Sequence, residues 1–205
     1  MKKSVFVILA VFLAQDAFSQ YFNTTQIGML MGNRPMNDQS YNSATYDTRT
    51  YFQMHPSVTM TNGGRIDEHW ALGVGVGFEI FDRNLFPVFI DIRNTLRENG
   101  ISPFFAFKIG YAVCGFKKKH YDNLSLPHEP YYVNNAYLEK NGGLMVHPEM
   151  GVKVPLTENA DLLFTVAYRY QKTKLTVSQD FGRKSKWEHE ESMNRLSFGV
   201  GISFK

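Results

Sequence analysis

The last stretch of the chain, residues 195–205, alternates strictly between two kinds of side chain. Large apolar residues occupy every second position, namely Leu196, Phe198, Val200, Ile202 and Phe204. The positions between them hold only Ser and Gly. A period of two predicts a β-strand whose two faces meet different surroundings. A bulky apolar face opposite very small residues suits a closed barrel with lipid outside and a narrow polar interior.

The same alternation recurs along the chain and predicts eight strands. They are centred on residues 26–32, 52–60, 70–80, 86–93, 105–114, 144–154, 162–171 and 196–204. The connections alternate in length: three are long and polar (33–47, 117–141 and 173–192), and those at the opposite rim are short. Asn62–Gly64 is predicted to be one of the short turns. An even strand number with lopsided connections is typical of an antiparallel up-and-down transmembrane barrel.

Two prolines conflict with regular pairing in such a barrel. Pro56 and Pro148 fall within the second and sixth predicted strands. A strand in a closed barrel has no free edge, and proline cannot donate to the ladder. We therefore expect a bulge or a local break of the ladder at both positions.

Composition and the N-terminal residues constrain location. Lys2 and Lys3, the apolar run 5–14 and the Ala17–Ser19 site predict a cleavable signal peptide over residues 1–19 and a barrel domain over 20–205. No apolar run long enough for a spanning helix follows. A net charge of +3 gives no indication of nucleic acid as a partner. Cys114 is the single cysteine, so the exported fold contains no internal disulfide.

Alternation alone does not decide which face is the interior, because a soluble lipocalin-like barrel reverses the two faces. The less apolar face is rich in glycine, at positions 73, 75, 77, 110, 151, 199 and 201. The apolar face carries aromatic residues towards both strand ends: Trp70, Phe105 and Phe204 at one, and Tyr111, Tyr168 and Tyr170 at the other. Two aromatic belts match two membrane interfaces. Together with the export signal, these features favour lipid outside.

Several stretches resemble a known family. They are Ser19–Gln20, the Gly-rich third strand, residues 87–111, the segment 147–152 (His-Pro-Glu-Met-Gly-Val) and the closing strand 196–204. These stretches are similar to the small outer-membrane β-barrel proteins of Bacteroidetes-type bacteria. The resemblance covers essentially the whole mature chain and implies an eight-stranded barrel in the cell outer membrane. It implies no particular activity, although some relatives are implicated in secretion machinery or in adhesion.

Charged residues on the inward face form the first candidate site. They are the acids Glu79, Asp91 and Glu149 and the bases Arg93, Lys108, Lys153, Arg169 and Arg195. The interior of an eight-stranded barrel is just wide enough for side chains to fill. We therefore expect these eight residues to pair and close the lumen, because unpaired buried charges are costly. The alternative is the selective lining of a narrow channel, or of an accessory component in a secretion or transport complex.

A catalytic interpretation has weaker support. The inward-facing candidates are His55, Ser57, His147 and Glu149, and a further alternative is a lipid-A-modifying enzyme. Histidine in a hydrogen-bonded lumen network is the favoured interpretation of the same residues. His128–Glu129 and Glu188–Glu190 lack the spacing of a metal site. The sequence predicts no enzyme, no cofactor and no metal.

The long connections form the second candidate site. Lys117, Lys118 and Lys119 follow the Tyr111 belt and are positioned to meet the phosphates of lipopolysaccharide; a solvated charge run is the alternative. Tyrosines interleaved with Asn and Ser offer contact area for a protein or glycan partner, or are ordinary loop composition. The leading hypothesis is thus a non-enzymatic outer-membrane barrel with an occluded lumen and long outer loops.

Overall fold

The computed structural model describes residues 21–35, 50–80, 84–97, 100–114, 119–125, 132–181 and 183–205. The predicted signal peptide, Lys117 and Lys118 lie outside these residues. The described strands are β1 (Tyr21–Pro35), β2 (Thr50–Arg65), β3 (Trp70–Glu79), β4 (Leu85–Thr95), β5 (Ser102–Cys114), β6 (Lys119–Ser125), β7 (Tyr132–Asn141), β8 (Gly143–Thr157), β9 (Ala160–Phe181) and β10 (Arg183–Phe204). In the described part of the chain, no helix is long and apolar enough to cross a membrane.

Eight of the strands close into a barrel. Their order is β10-β1-β2-β3-β4-β5-β8-β9, every neighbouring pair is antiparallel, and β9 pairs with β10 to complete the ring. The predicted eight-stranded antiparallel barrel is confirmed. Because the ring is closed, backbone groups are paired around the circumference, as a bilayer requires.

The two faces of the wall are assigned as the sequence predicted. Large apolar side chains point outward, and Val74 is 65% exposed, whereas the interior Asp91 is 0% exposed. A water-soluble barrel would show the reverse arrangement, with its apolar set enclosed. An apolar belt around a closed barrel is therefore the surface that faces lipid.

One predicted turn is wrong. Gly63 and Gly64 lie inside β2, and the chain turns instead at residues 66–69. A Cβ on Gly63 would collide with the Leu72 carbonyl oxygen and the Phe22 ring, so glycine here allows close strand approach. The side chain of Asp67 stabilises the real turn: its carboxylate accepts the N–H of His69 and of Trp70, each at 2.7 Å. We call this end of the barrel the turn rim.

The longest predicted loops also differ from expectation. Residues 117–141 include the strands β6 and β7, and residues 173–192 belong largely to the extended ends of β9 and β10. These parts form a four-stranded extension, in the order β6-β7-β9-β10, which we call the projecting sheet. It stands on the rim opposite the turn rim. Beyond the lipid a strand needs no apolar face, so the apolar alternation that predicts the spanning strands is missing there.

The two prolines behave differently. Pro56 pairs with Met29 in unbroken register, and the β2–β3 ladder begins one residue later, at Ser57. Pro148 pairs with Phe107 on β5, but the ladder with β9 is broken at His147 and Pro148 and resumes at Glu149 in the same register. The expected local break is confirmed at Pro148. A register shift on β8 occurs instead at Pro155–Thr157.

Candidate functional site: the charged interior of the barrel

All eight charged residues predicted for the lumen are buried inside the barrel. Their exposed fractions are Glu79 2%, Asp91 0%, Arg93 7%, Lys108 2%, Glu149 5%, Lys153 7%, Arg169 3% and Arg195 9%. Strand alternation brings them to one side of the wall, and closure of the barrel brings distant strands together. Six of them lie in three layers that are stacked along the barrel axis.

The layer nearest the turn rim is built around Arg93. Its Nη2 donates to Asp91 Oδ2 at 3.0 Å, and its Nη1 donates to Thr24 Oγ1 at 3.3 Å. Its guanidinium also lies over two aromatic rings, 5.7 Å from the centroid of Phe22 and 5.1 Å from that of Phe104. These distances are within the range of cation–π attraction. The cation therefore has polar and aromatic partners, while its own Nε and Asp91 Oδ1 have no hydrogen-bond partner in the described part of the chain.

The middle layer joins Lys108 and Glu149 across β5 and β8. Lys108 Nζ donates to Glu149 Oε2 at 2.6 Å and to Gln26 Oε1 at 2.8 Å. Gln26 Nε2 in turn donates to Glu149 Oε1 at 3.0 Å, so the three side chains form a closed hydrogen-bonded ring. His147 Nε2 lies 3.4 Å from Glu149 Oε2. Each carboxylate oxygen of Glu149 thus has a donor.

The layer nearest the projecting sheet joins Arg169 of β9 and Glu79 of β3. Arg169 Nη2 donates to Glu79 Oε1 at 2.5 Å and lies 3.5 Å from Gln171 Oε1. Gln171 Nε2 donates to the carbonyl oxygens of Gly143 and Lys172 at 3.1 and 2.9 Å. Buried Leu85 and Cys114, with Met193 packed against them, form an apolar cluster in the same part of the barrel.

The other two predicted lumen residues, Lys153 and Arg195, lie outside these three pairs. Arg195 Nη2 is 3.3 Å from the sulfur of Met193. Sequence reasoning missed a further buried acid, Asp161, whose Oδ2 is 3.2 Å from Lys205 Nζ. It also missed the interior aromatics Phe22 and Phe104. The strand alternation could have indicated this: Phe104 lies four residues before Lys108 on the same strand, so both side chains are on the inward face.

Little free space remains between the layers. The interior cavity has a volume of about 20 Å³, and Gln26, Lys108, His147, Glu149 and Arg169 are among the residues that line it. Such a volume holds about one water molecule. Among the described residues, three buried nitrogens, Arg93 Nε, His147 Nδ1 and Arg169 Nε, have no hydrogen-bond partner. The layers therefore occupy nearly the whole cross-section of the barrel.

The residues considered for catalysis are only partly brought together. His147 and Glu149 are adjacent, and Ser57 lines the same small cavity. His55 Nε2 instead lies 3.1 Å from Gln53 Oε1, towards the end of β2 that carries no β3 partner. Among the described residues, no group of three His, Cys, Asp or Glu side chains could hold a metal ion.

The second candidate site is described only in part. Lys119 begins β6 and pairs with Leu138 of β7 in the projecting sheet. A cluster of charged side chains lies on the outward face of the projecting sheet, a few residues past Tyr168 along β9. Lys172 Nζ and Lys174 Nζ lie 3.7 and 3.6 Å from the carboxylate of Glu190, and Lys174 is also 3.9 Å from Glu188. The change from Tyr168 to Lys172 on one face marks where the apolar belt ends.

Comparison with known proteins relates the fold to outer-membrane barrels. No family model and no curated protein matches the chain. The outer membrane protein OprG from Pseudomonas aeruginosa aligns over 91% of this chain and 96% of its own, with a TM-score of 0.60 and 10% identity. Neisserial surface protein A aligns over 90% and 96%, with a TM-score of 0.53 and 10% identity. AlkL in lipid bilayers aligns over 90% and 89%, with a TM-score of 0.50 and 11% identity. Identities this low concern the fold, which is that of a small outer-membrane β-barrel.

Proposed function

We propose that this protein is a non-enzymatic, non-conducting outer-membrane barrel that presents the projecting sheet to partners outside the cell. The observation that carries the proposal is the interior: three layers of paired charges leave a cavity of only about 20 Å³. A conducting pore needs a continuous water-filled path. A side-chain-filled interior instead gives rigidity, and function then belongs to the surfaces.

The asymmetry of the two rims supports an outward orientation for the projecting sheet. The turn rim has short connections, such as residues 66–69 and 158–159, and outer-membrane barrels carry short turns on the periplasmic side. The charge cluster on β9 and β10 then lies just outside the bilayer. In that position Lys172 and Lys174 meet lipopolysaccharide phosphates. The sequence predicts the same role for Lys117, Lys118 and Lys119. A protein or glycan is the second class of partner for this surface.

The family resemblance supports the same assignment. We place the chain among the Bacteroidetes-type small barrels on the motifs at 87–111, 147–152 and 196–204, with cleavage of the signal peptide after Ser19. A role as a narrow channel or as an accessory component of a secretion complex is the competing function. Lipid-A modification is a third.

Conductance in planar bilayers tests the closed lumen. We expect the wild-type barrel to show no steady open state. A matched variant that removes all three pairs, Lys108→Ala with Glu149→Ala, Glu79→Ala with Arg169→Ala, and Asp91→Ala with Arg93→Ala, should open a path and conduct. Steady conductance by the wild-type barrel would replace our proposal with the channel.

Mass spectrometry of lipid A tests the enzymatic alternative. We expect identical lipid A from cells with and without the gene. A change that disappears when His147 and Glu149 are replaced by Ala and Gln would identify an enzyme. Crosslinking from Lys172 and Lys174 in intact cells then identifies the surface partners.

A further inference from the structure

The break in the ladder at Pro148 leaves one backbone group without its partner. The β5–β8 ladder is continuous through Pro148, so the N–H that proline lacks is missing on the β9 side. The register places Tyr168 opposite Pro148. The carbonyl oxygen of Tyr168 therefore receives no donor from the β8 ladder. Such a group is costly where lipid, rather than water, covers the outer wall beside it.

An apolar groove lies on the outer wall at the same place. Its volume is about 560 Å³, within the range of ligand-binding sites. Residues of β3, β4, β5, β8, β9 and β10 line it, among them Trp70, Phe105, Phe107, Pro148, Met150 and Tyr168. Phe105 and Met150 are 51% and 57% exposed, so the groove opens towards lipid.

We propose that this groove binds one lipid acyl chain that bears a hydroxyl group, and that this hydroxyl donates to the carbonyl oxygen of Tyr168. The apolar lining selects a hydrocarbon chain, and the membrane around the barrel supplies it. A carbonyl that lacks its donor from the β8 ladder favours a chain whose hydroxyl group can donate to it. The phenol of Tyr168 donates its proton to Asn194 Oδ1 at 2.6 Å, so it has no proton left to donate to the lipid hydroxyl. The site opens on the lipid-facing side of the wall, and Glu149 of the lumen network is among its lining residues.

Native mass spectrometry of the full barrel in detergent tests the site, with 3-hydroxymyristate and myristate as competing probes. We expect one chain per barrel, with the hydroxylated probe preferred roughly 5- to 10-fold, as one added hydrogen bond predicts. Pro148→Ala supplies the missing N–H to Tyr168. This variant should still bind myristate, and its preference for the hydroxylated probe should fall to about 1-fold.

Two tryptophan variants separate the groove from the general lipid surface. Met150→Trp fills the groove and should abolish the binding of both probes. Val76→Trp, on an outward position of β3 away from the groove, should leave binding unchanged. Equal binding of the two probes to the wild-type barrel, or a preference that persists in Pro148→Ala, would overturn the hydroxyl assignment. No saturable binding of either probe would overturn the site.

Discussion

Glu149 shows how a charge is stabilised inside this barrel. It is 5% exposed, and its two oxygens accept from Lys108 and Gln26. The gain from a buried ion pair is largely offset by desolvation, so the pair adds little net stability compared with an apolar pair. Removing one partner is different, because the remaining charge keeps the desolvation cost and loses its attraction.

Lys108→Met should therefore be strongly destabilising. The substitution leaves Glu149 buried without its cation, and we expect a loss of about 3–5 kcal/mol of unfolding free energy. The measurement is urea unfolding of the barrel in lipid vesicles. Adding Glu149→Gln removes the stranded charge and should restore most of the loss.

The control for this prediction is a charge on the surface. Lys172 is 3.7 Å from Glu190, and both side chains are about half exposed. Lys172→Ala should cost less than about 1 kcal/mol, since exposed pairs contribute little. Equal costs for Lys108→Met and Lys172→Ala would mean that water hydrates the interior and that the lumen is not closed.

Asp67, at the turn rim, makes a contribution to the stability of the fold that depends on pH. Backbone N–H groups of Trp70 and His69 donate to its carboxylate and lower its pKa below the ordinary value. A lowered folded-state pKa stabilises the fold above the unfolded value of about 4, and the contribution is lost as pH falls through the folded pKa. Asp67→Asn keeps an acceptor oxygen but does not titrate.

We therefore expect the urea midpoint of wild type to exceed that of Asp67→Asn at pH 6. The difference should shrink as the pH is lowered from about 4. Unfolding series at matched pH values measure both midpoints. A difference that is constant between pH 6 and pH 2 would show that the charge of Asp67 does not stabilise this turn.

At the scale of strands, the sequence predicted the membrane-spanning strands, whose outward faces must be apolar. It missed the strands of the projecting sheet, which lie beyond the lipid. β3 is a clear case, because apolar residues from Trp70 to Phe78 alternate with Ala and Gly. The parity of each spanning strand also assigned all eight charged residues to the interior. It did not give their partners, because the pairing of Arg169 with Glu79 depends on barrel closure. The projecting sheet was predicted as loop because its strands carry polar residues on both faces.

The junction between the barrel and the projecting sheet depends on two glycines. Gly142 and Gly143 join β7 to β8, and a Cβ on Gly143 would collide with the carbonyl of Lys172 on β9. Gly143→Ala should push β8 and β9 apart and cost about 1–3 kcal/mol, as overpacking does. Urea unfolding measures the cost, and limited proteolysis shows whether the projecting sheet detaches.

Gly199→Ala on β10 is the matched control. Its added Cβ would meet the side-chain hydroxyl of Thr165 at 2.7 Å, whereas the nearest backbone oxygen is 3.4 Å away. We expect it to cost clearly less than Gly143→Ala. Equal effects of the two substitutions would indicate that any added methyl group destabilises the wall, and that the junction has no special requirement for glycine.

At the scale of the whole molecule, three features depend on one another. The closed ring pairs the backbone except at the break beside Pro148, the apolar belt requires a lipid environment, and the paired interior fills the space that the ring encloses. Without lipid, the exposed belt would be an aggregation surface. If the interior charges were not paired with one another, the ring would enclose buried charges without partners. The fold is therefore stable as a unit in a membrane or a detergent micelle.

This dependence predicts heat-modifiable behaviour on a cold detergent gel. The refolded chain of residues 20–205 should migrate as a compact species when it is not boiled and should shift after boiling, because its backbone hydrogen bonds are internal to the ring. The combined variant Lys108→Ala and Glu149→Ala should keep the shift, since the ring remains closed. Lys108→Met alone should lose the compact species at a lower temperature. A chain that is soluble without detergent and shows no shift would mean that the apolar set faces inward around a ligand cavity, and the lipid-facing groove at Pro148 would then not exist.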